Sequence, residues 1–185
     1  MKEFLCPAEA SNWLKKGKIL IHPTEGVWGL GCDASNPAAC QKISSLKKRP
    51  SDKNFILLAP SIPAALDYSI QIDPEQIKFL ESIWPGHFTV IFQANNNVKG
   101  YLKTINNTIA IRVSDYLPLA KLLLSFNGLM VSTSANISNS PIINSLDDVK
   151  KTFNDSQVAV YAHDNGDALK PSAIIDLKSM EYIRE

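Results

Sequence analysis

Lys47-Lys48-Arg49-Pro50-Ser51-Asp52-Lys53-Asn54-Phe55-Ile56-Leu57-Leu58-Ala59 is the stretch that decides how this chain folds. Upstream of it, Ala39, Ile43 and Leu46 recur at i, i+4 and i+7, the inner face of a helix for which Asn36 and Pro37 suit N-cap and first turn. Downstream, residues 54–59 form a short apolar run of the kind that makes a buried strand. The four cations of residues 47–53 therefore stand between two packed elements and not on a linker. Cations held that way can aim at a fixed point, and the target they suit is an anion, phosphate first. The helix dipole accounts for Lys47 in the last helical turn. It does not account for Arg49 and Lys53 beyond it.

Working outward towards the N-terminus, residues 7–16 read as a helix ended by Gly17, and 18–22 as a strand. That strand runs into Pro23-Thr24-Glu25-Gly26-Val27-Trp28-Gly29-Leu30-Gly31-Cys32-Asp33. Glycines this dense predict positive φ and a close approach of backbone to ligand, with a glycine-kinked strand as the plainer alternative. The spacing matches neither the dinucleotide fingerprint nor a Walker A loop. Thr24 brings a hydroxyl to a strand end, the usual ligand side of an α/β sheet.

Towards the C-terminus, residues 61–69 and 74–83 read as helices, 84–86 as a turn, and 88–92 and 108–113 as strands. Arg112, among Ile109, Ile111 and Val113, requires a partner, either an internal carboxylate or a ligand anion. A helix over 117–126 and a strand over 129–131 lead to Ser132-Thr133-Ser134-Ala135-Asn136. This cluster of small donors can hold phosphate or ribose oxygens, or can form a Ser/Thr turn. Ser145 opens an amphipathic helix, 158–161 is a strand and 164–167 a turn. Ser172 stands at the mouth of a strand, and 182–184 reads as a final edge strand. Strands and helices alternate irregularly, without repeats or linkers. The predicted fold is a single α/β domain, 1–185, with a twisted mixed parallel and antiparallel sheet flanked by helices.

Composition narrows the function. With 19 basic and 18 acidic side chains the net charge is +1, which argues against non-specific nucleic-acid binding through bulk charge. Three cysteines without a Cys-x-x-Cys pair predict neither a disulfide framework nor structural zinc. No apolar run reaches the ~20 residues of a membrane span and the N-terminus lacks signal-peptide character, so a cytoplasmic protein is expected. There is no Gly-x-Ser-x-Gly elbow and no His-Glu-x-x-His motif. His22, His87 and His163 are isolated and read as structural. What remains is hydroxyls, glycines and cations without a nucleophile, an inventory suited to positioning substrates and stabilising a polyphosphate.

Six blocks then carry a resemblance: residues 23–33, Lys47-Lys48-Arg49-Pro50, Trp84-Pro85-Gly86, Ala110-Ile111-Arg112-Val113, Ser132-Thr133-Ser134-Ala135-Asn136 and Pro171-Ser172. In this order and spacing, the chain resembles the YrdC family over nearly its whole length. The resemblance implies that L-threonine, bicarbonate and ATP give threonylcarbamoyl-adenylate and pyrophosphate, for proteins that then modify tRNA. It implies that Lys47 and Arg49 are catalytic and bind ATP phosphates, with Thr108, Ser134, Asn136 and Arg184 also on the nucleotide. Thr24, Arg112, Ser132 and Ser172 would bind threonine, with Arg112 pairing its carboxylate. Mg²⁺ would arrive with ATP, and no metal site in the protein itself is expected. Longer relatives carry a histidine in the strand after the Lys-x-Arg pair, where this chain has Phe55-Ile56-Leu57-Leu58. The competing reading is a double-stranded RNA-binding module acting in ribosomal RNA maturation, in which tRNA or other RNA touches the same basic site.

Overall fold

The computed structural model describes residues 1–50, 54–168 and 170–184, so that Lys53 lies outside the described residues. In chain order the elements are β1 Lys2–Phe4, α1 Pro7–Lys15, β2 Ile19–His22, β3 Gly29–Asp33, α2 Pro37–Lys47, β4 Ile56–Leu58, α3 Ile62–Leu66, α4 Pro74–Ile83, β5 Phe88–Gln93, β6 Thr108–Arg112, α5 Leu117–Phe126, β7 Met130–Ser134, α6 Leu146–Thr152, β8 Val158–Tyr161, β9 Ala173–Asp176 and β10 Glu181–Arg184. The strands form one ten-stranded sheet in the order β1-β8-β2-β3-β7-β4-β6-β5-β9-β10. Pairing is mixed: β8 runs parallel to β1 and β2, β4 to β6 and β5 to β9, and the remaining neighbours are antiparallel.

Alternation along the strands divides the core in two. Ile19, Ile21, Leu57, Val131, Val158 and Val160 face one side, under Ala39 and Ile43 of α2, Leu80 of α4 and Val149 of α6. Leu20, Leu58, Met130, Ala159 and Tyr161 face the other, against Ala10, Trp13 and Leu14 of α1 and Leu119, Leu122, Leu123 and Phe126 of α5. Each Val, Leu, Ile, Phe or Met side chain among them contributes roughly 1.5–3 kcal/mol on burial, so the register is held from both faces. A one-residue slip of any central strand would exchange its two sides.

The basic stretch does what its flanks demand. Asn36 caps α2 by accepting from the Ala39 N–H at 3.0 Å, and Pro37 follows. The helix ends with Lys48 in the left-handed region, φ 50 and ψ 43. The Lys48 N–H then donates to Ser45 O and the Arg49 N–H to Ser44 O, at 3.1 and 2.8 Å. This double closure turns the chain back, and the next strand, β4, enters the middle of the sheet between β7 and β6.

Several boundaries differ from expectation. The helix expected over 61–69 stops at Leu66, because Ser69 joins Ala94 in a β-bridge. The strand expected over 129–131 continues to Ser134. β1 has no signal in the sequence, being three mostly exposed residues paired at the sheet edge. No helix among the described residues is long and apolar enough to cross a membrane.

Candidate active site

Alternation places Gly29, Ser132, Ser134, Ile56, Leu58, Ala110 and Arg112 on one face of β3, β7, β4 and β6, the face that α1 and α5 cover further along the sheet. Four of these residues are small, and the sheet is hollow there. The result is a cavity of about 420 Å³. Of the ten residues expected at a site, eight line it: Thr24, Arg49, Thr108, Arg112, Ser132, Ser134, Ser172 and Arg184. The other two, Lys47 and Asn136, sit behind the wall.

Lys47 is only 1% exposed. Its ammonium donates to the carbonyl oxygens of Ser134 and Asn136, the latter at 2.6 Å, and lies 3.4 Å from Asn136 Oδ1. Asn136 in turn accepts from Ser134 Oγ at 2.7 Å and donates to Ser140 O at 2.6 Å. A buried cation thus holds the end of β7 and the loop after it in place. Arg49 sits at the cavity itself. Its guanidinium donates to Asn54 O at 2.5 Å and Thr133 Oγ1 at 3.4 Å, and stacks on Phe55 with 5.0 Å to the ring centre.

Arg112 finds its internal carboxylate in Glu25, a residue to which the sequence alone assigns no role. The two form an ion pair between Nη2 and Oε2 at side-chain exposures of 7% and 12%. Ser114 Oγ donates to Glu25 Oε1 at 2.6 Å. Burial pushes the Glu25 carboxyl up, but the Arg112 charge and the hydrogen bonds from Arg112 and Ser114 outweigh it and hold the group below its ordinary value. Arg112 Nε is buried with no hydrogen-bond partner among the described residues.

The glycine-rich loop works differently from its expectation. None of Gly26, Gly29 and Gly31 has positive φ. They are needed for space. A Cβ at Gly26 would lie 2.0 Å from Ala168 O, and one at Gly29 2.3 Å from the His22 ring. Gly29 and Gly31 belong to β3, which pairs in unbroken register with β2 and β7. In the other half, Thr24 locks its own turn, donating from Oγ1 to Val27 O at 2.6 Å and accepting from the Val27 N–H at 3.2 Å. Residues 164–167, expected only as a turn, clamp this loop. Asn165 Oδ1 accepts from the Thr24 N–H at 3.0 Å, and the Gly166 N–H donates to Thr24 O at 2.9 Å.

Three further contacts complete the walls. Ser172 Oγ pairs with Thr89 Oγ1 at 2.8 Å, and its carbonyl accepts from Arg184 Nη2 at 2.7 Å, which carries β10 to the cavity mouth. Thr108 Oγ1 pairs with Thr104 Oγ1 at 2.7 Å. His87 is half-buried on the lining, its imidazole lowered by burial and then by the Arg112 charge.

With the geometry in place, comparison with known proteins is decisive. Residues 12–185 match the Sua5, YciO and YrdC family model, described as Telomere recombination. The chain belongs to this family. It is 36% identical to a Vibrio parahaemolyticus protein named Threonylcarbamoyl-AMP synthase, over 94% of this chain and 95% of that one. A Vibrio campbellii protein of the same name is 35% identical over 93% and 94%. Among solved structures, E. coli YciO superposes with a TM-score of 0.84 at 26% identity, over 97% of this chain and 88% of that one. P. abyssi Sua5 complexed with L-threonine superposes at 0.82 and 26%, over 93% of this chain. The chain spans about half the length of that protein, 51%.

A buried imidazole precedes one of the family blocks. His22, immediately before Pro23, is fully buried. Burial lowers it from the ordinary 6.5 to about 4, although its hydrogen bond to Pro23 O acts the other way. The unfolded chain therefore takes up a proton near pH 6.5 that the native state refuses until about 4. Stability is complete above 6.5 and falls as the pH drops towards 4, by about 3 kcal/mol in all. Urea unfolding at pH 7.5 and 4.5 should show this loss in the wild type and a clearly smaller one in His22→Phe. Equal losses would mean that His22 is not held neutral.

Proposed function

We propose that the cavity joins L-threonine, bicarbonate and ATP to give L-threonylcarbamoyladenylate and pyrophosphate, making the protein a nucleotidyltransferase. The observation that carries this reading is one cavity that brings together a half-buried cation, Arg49, and a wall of hydroxyls, Thr24, Ser132 and Ser172, around a buried arginine. A polyphosphate suits the first and a small polar zwitterion the second. Arg112 lines the cavity and would attract a bound carboxylate, while Glu25 offsets part of its charge. The names of the Vibrio relatives and the threonine bound to P. abyssi Sua5 support the same substrates.

In this reading threonine's amine, once deprotonated, attacks the bicarbonate carbon, and water leaves to give the carbamate. A carbamate oxygen then attacks the α-phosphorus and pyrophosphate departs. Arg49 stabilises charge growing on the phosphates, and Lys47 adds its charge from behind Ser134. Mg²⁺ enters as part of the nucleotide substrate. Thr108 and Arg184 border the nucleotide side, and Ser134 and Asn136 connect it to the threonine wall. Carbamate and mixed anhydride are both labile in water, so the reaction favours a site that limits its access. The product passes to proteins that transfer it to tRNA, in the cytoplasm.

The deciding measurement is pyrophosphate release from ATP with bicarbonate and L-threonine, L-serine or no amino acid. Release that requires both threonine and bicarbonate is expected. Salt-sensitive binding of double-stranded RNA without such release would replace the enzyme by a binding module. The net charge of +1 and a concave site of about 420 Å³ lined by hydroxyls favour the enzyme.

A further inference from the structure

His22 and Ser132 belong to strands β2 and β7, separated in the sheet by β3 alone. Across β3 the imidazole lies over Gly29 and Gly31. A Cβ at Gly31 would stand 3.2 Å from His22 Nε2, and one at Gly29 would stand 2.4 Å from it. Two glycines in register with β2 thus leave a slot in which the ring crosses the strand and reaches Ser132 Oγ at 3.2 Å. The other ring nitrogen, Nδ1, is 3.1 Å from Pro23 O. A carbonyl oxygen only accepts, so Nδ1 carries the proton. In a neutral ring Nε2 is then an acceptor, and the hydrogen between it and Ser132 belongs to the serine.

We infer that His22 is a positioning residue that fixes Ser132 as a hydrogen-bond acceptor towards the cavity. With its only proton turned back to the imidazole, the Ser132 oxygen presents lone pairs alone to whatever binds in front of it. Carboxylate and phosphate oxygens are acceptors too and are repelled there. A donor is welcomed, either the ammonium or the hydroxyl of an amino-acid substrate. The cavity is thereby given a polarity: anionic groups go to the Arg49 and Arg112 sides, and the donor end of the amino acid goes to Ser132. Without the imidazole the serine hydroxyl could rotate and donate forward, and the polarity would be lost. This inference rests on the proposed reaction and assigns one wall of the same cavity.

The other titratable and charged groups around the ring are Arg112 and Glu25, and burial keeps it neutral over the working range. A pH change near neutrality therefore leaves the serine's direction unaltered.

The test is a steady-state comparison of wild type, His22→Phe and His22→Gln, varying L-threonine at saturating ATP and the reverse. Phenylalanine fills the glycine slot without an acceptor. Glutamine can return an amide oxygen to the place of Nε2. In His22→Phe the KM for threonine should rise about tenfold, the scale of one hydrogen bond to a charged donor, with the KM for ATP and kcat within about twofold. His22→Gln should recover most of the change. In a Ser132→Ala background, His22→Phe should add nothing further, since its effect passes through that hydroxyl. His22→Asn, whose shorter amide reaches Pro23 but not Ser132, is the second loss variant should the phenylalanine protein fail to fold. A lowered kcat with unchanged KM for threonine in the loss variants would overturn the inference, showing a packing role only. Equal effects of His22→Phe in the wild-type and Ser132→Ala backgrounds would overturn it too. Absence of threonine-dependent release by the wild type would instead overturn the reaction itself.

Discussion

Arg49→Ala is expected to release pyrophosphate at least ~10-fold more slowly than the wild type, at nearly unchanged stability. The two halves of this expectation have different causes. The guanidinium is half-buried and its contacts include the Asn54 carbonyl, the Thr133 hydroxyl of β7 and the face of Phe55. Contacts of this kind contribute on the order of 1 kcal/mol to folding, so the melting transition should move little. Catalysis asks more of the residue. Charge that accumulates on a departing pyrophosphate needs a fixed cation, and Arg49 is held from three sides before substrate arrives. Arg49→Lys should fall between the two, since it keeps the charge but loses the planar fork and the stacking on Phe55. Pyrophosphate release and thermal unfolding of the three proteins, measured side by side, check the point. Wild-type release rates in Arg49→Ala would remove the phosphate role and, with it, the strongest link between this cavity and ATP.

How much of the fold and the site is legible in the amino-acid sequence depends on what each signal is made of. Helix α2, its cap and the turn after it are readable because Asn36-Pro37, the spacing of Ala39, Ile43 and Leu46, and the chain-reversing cations are all local. The central strands are readable for the same reason. The cavity residues stand out as hydroxyls and cations near strand ends, and eight of ten line the cavity. What stays hidden depends on register between distant strands. Ser132 and Ser134 resemble the start of a turn, because nothing in four small polar side chains among five residues says that β7 continues through them. It continues because β3 lies alongside, with Gly31 opposite Ser132 and Gly29 opposite Ser134. Lys47 reads as a phosphate ligand or as a cation placed by the helix dipole. Only the fold brings two carbonyls nearly ninety residues on, one at the end of β7 and one in the loop after it, to its ammonium. His22 and its glycine slot are invisible for the same reason. So is residue 165 as a clamp on Thr24, since nothing local joins the two.

Glu25 is the largest of these omissions, and removing it should reveal its weight. Glu25→Ala is expected to lower folding stability by about 3–5 kcal/mol, because it leaves a buried arginine charge without compensation. Arg112→Ala should cost a similar amount by stranding the carboxylate. Folding would then survive only if the chain has stability to spare, since a typical domain has ~5–15 kcal/mol in all. The informative protein is the double variant, Glu25→Gln with Arg112→Met. It removes both charges while leaving groups of similar size, and exchange of a buried pair for neutral groups is often close to neutral for stability. It should therefore recover most of the loss of either single change while showing no threonine-dependent pyrophosphate release. The wild-type pair also carries a pH signature. The Glu25 carboxyl is held below its ordinary value, so its stabilisation is present above that value and is lost as the pH falls through the native one. The double variant should lose that part of the acid sensitivity and retain the part due to His22. A double variant as unstable as the single ones would place the cost in packing and not in charge. One that is stable and fully active would mean that the carboxylate of the amino acid is held elsewhere, and that Arg112 is there to fold the cavity and not to fill it.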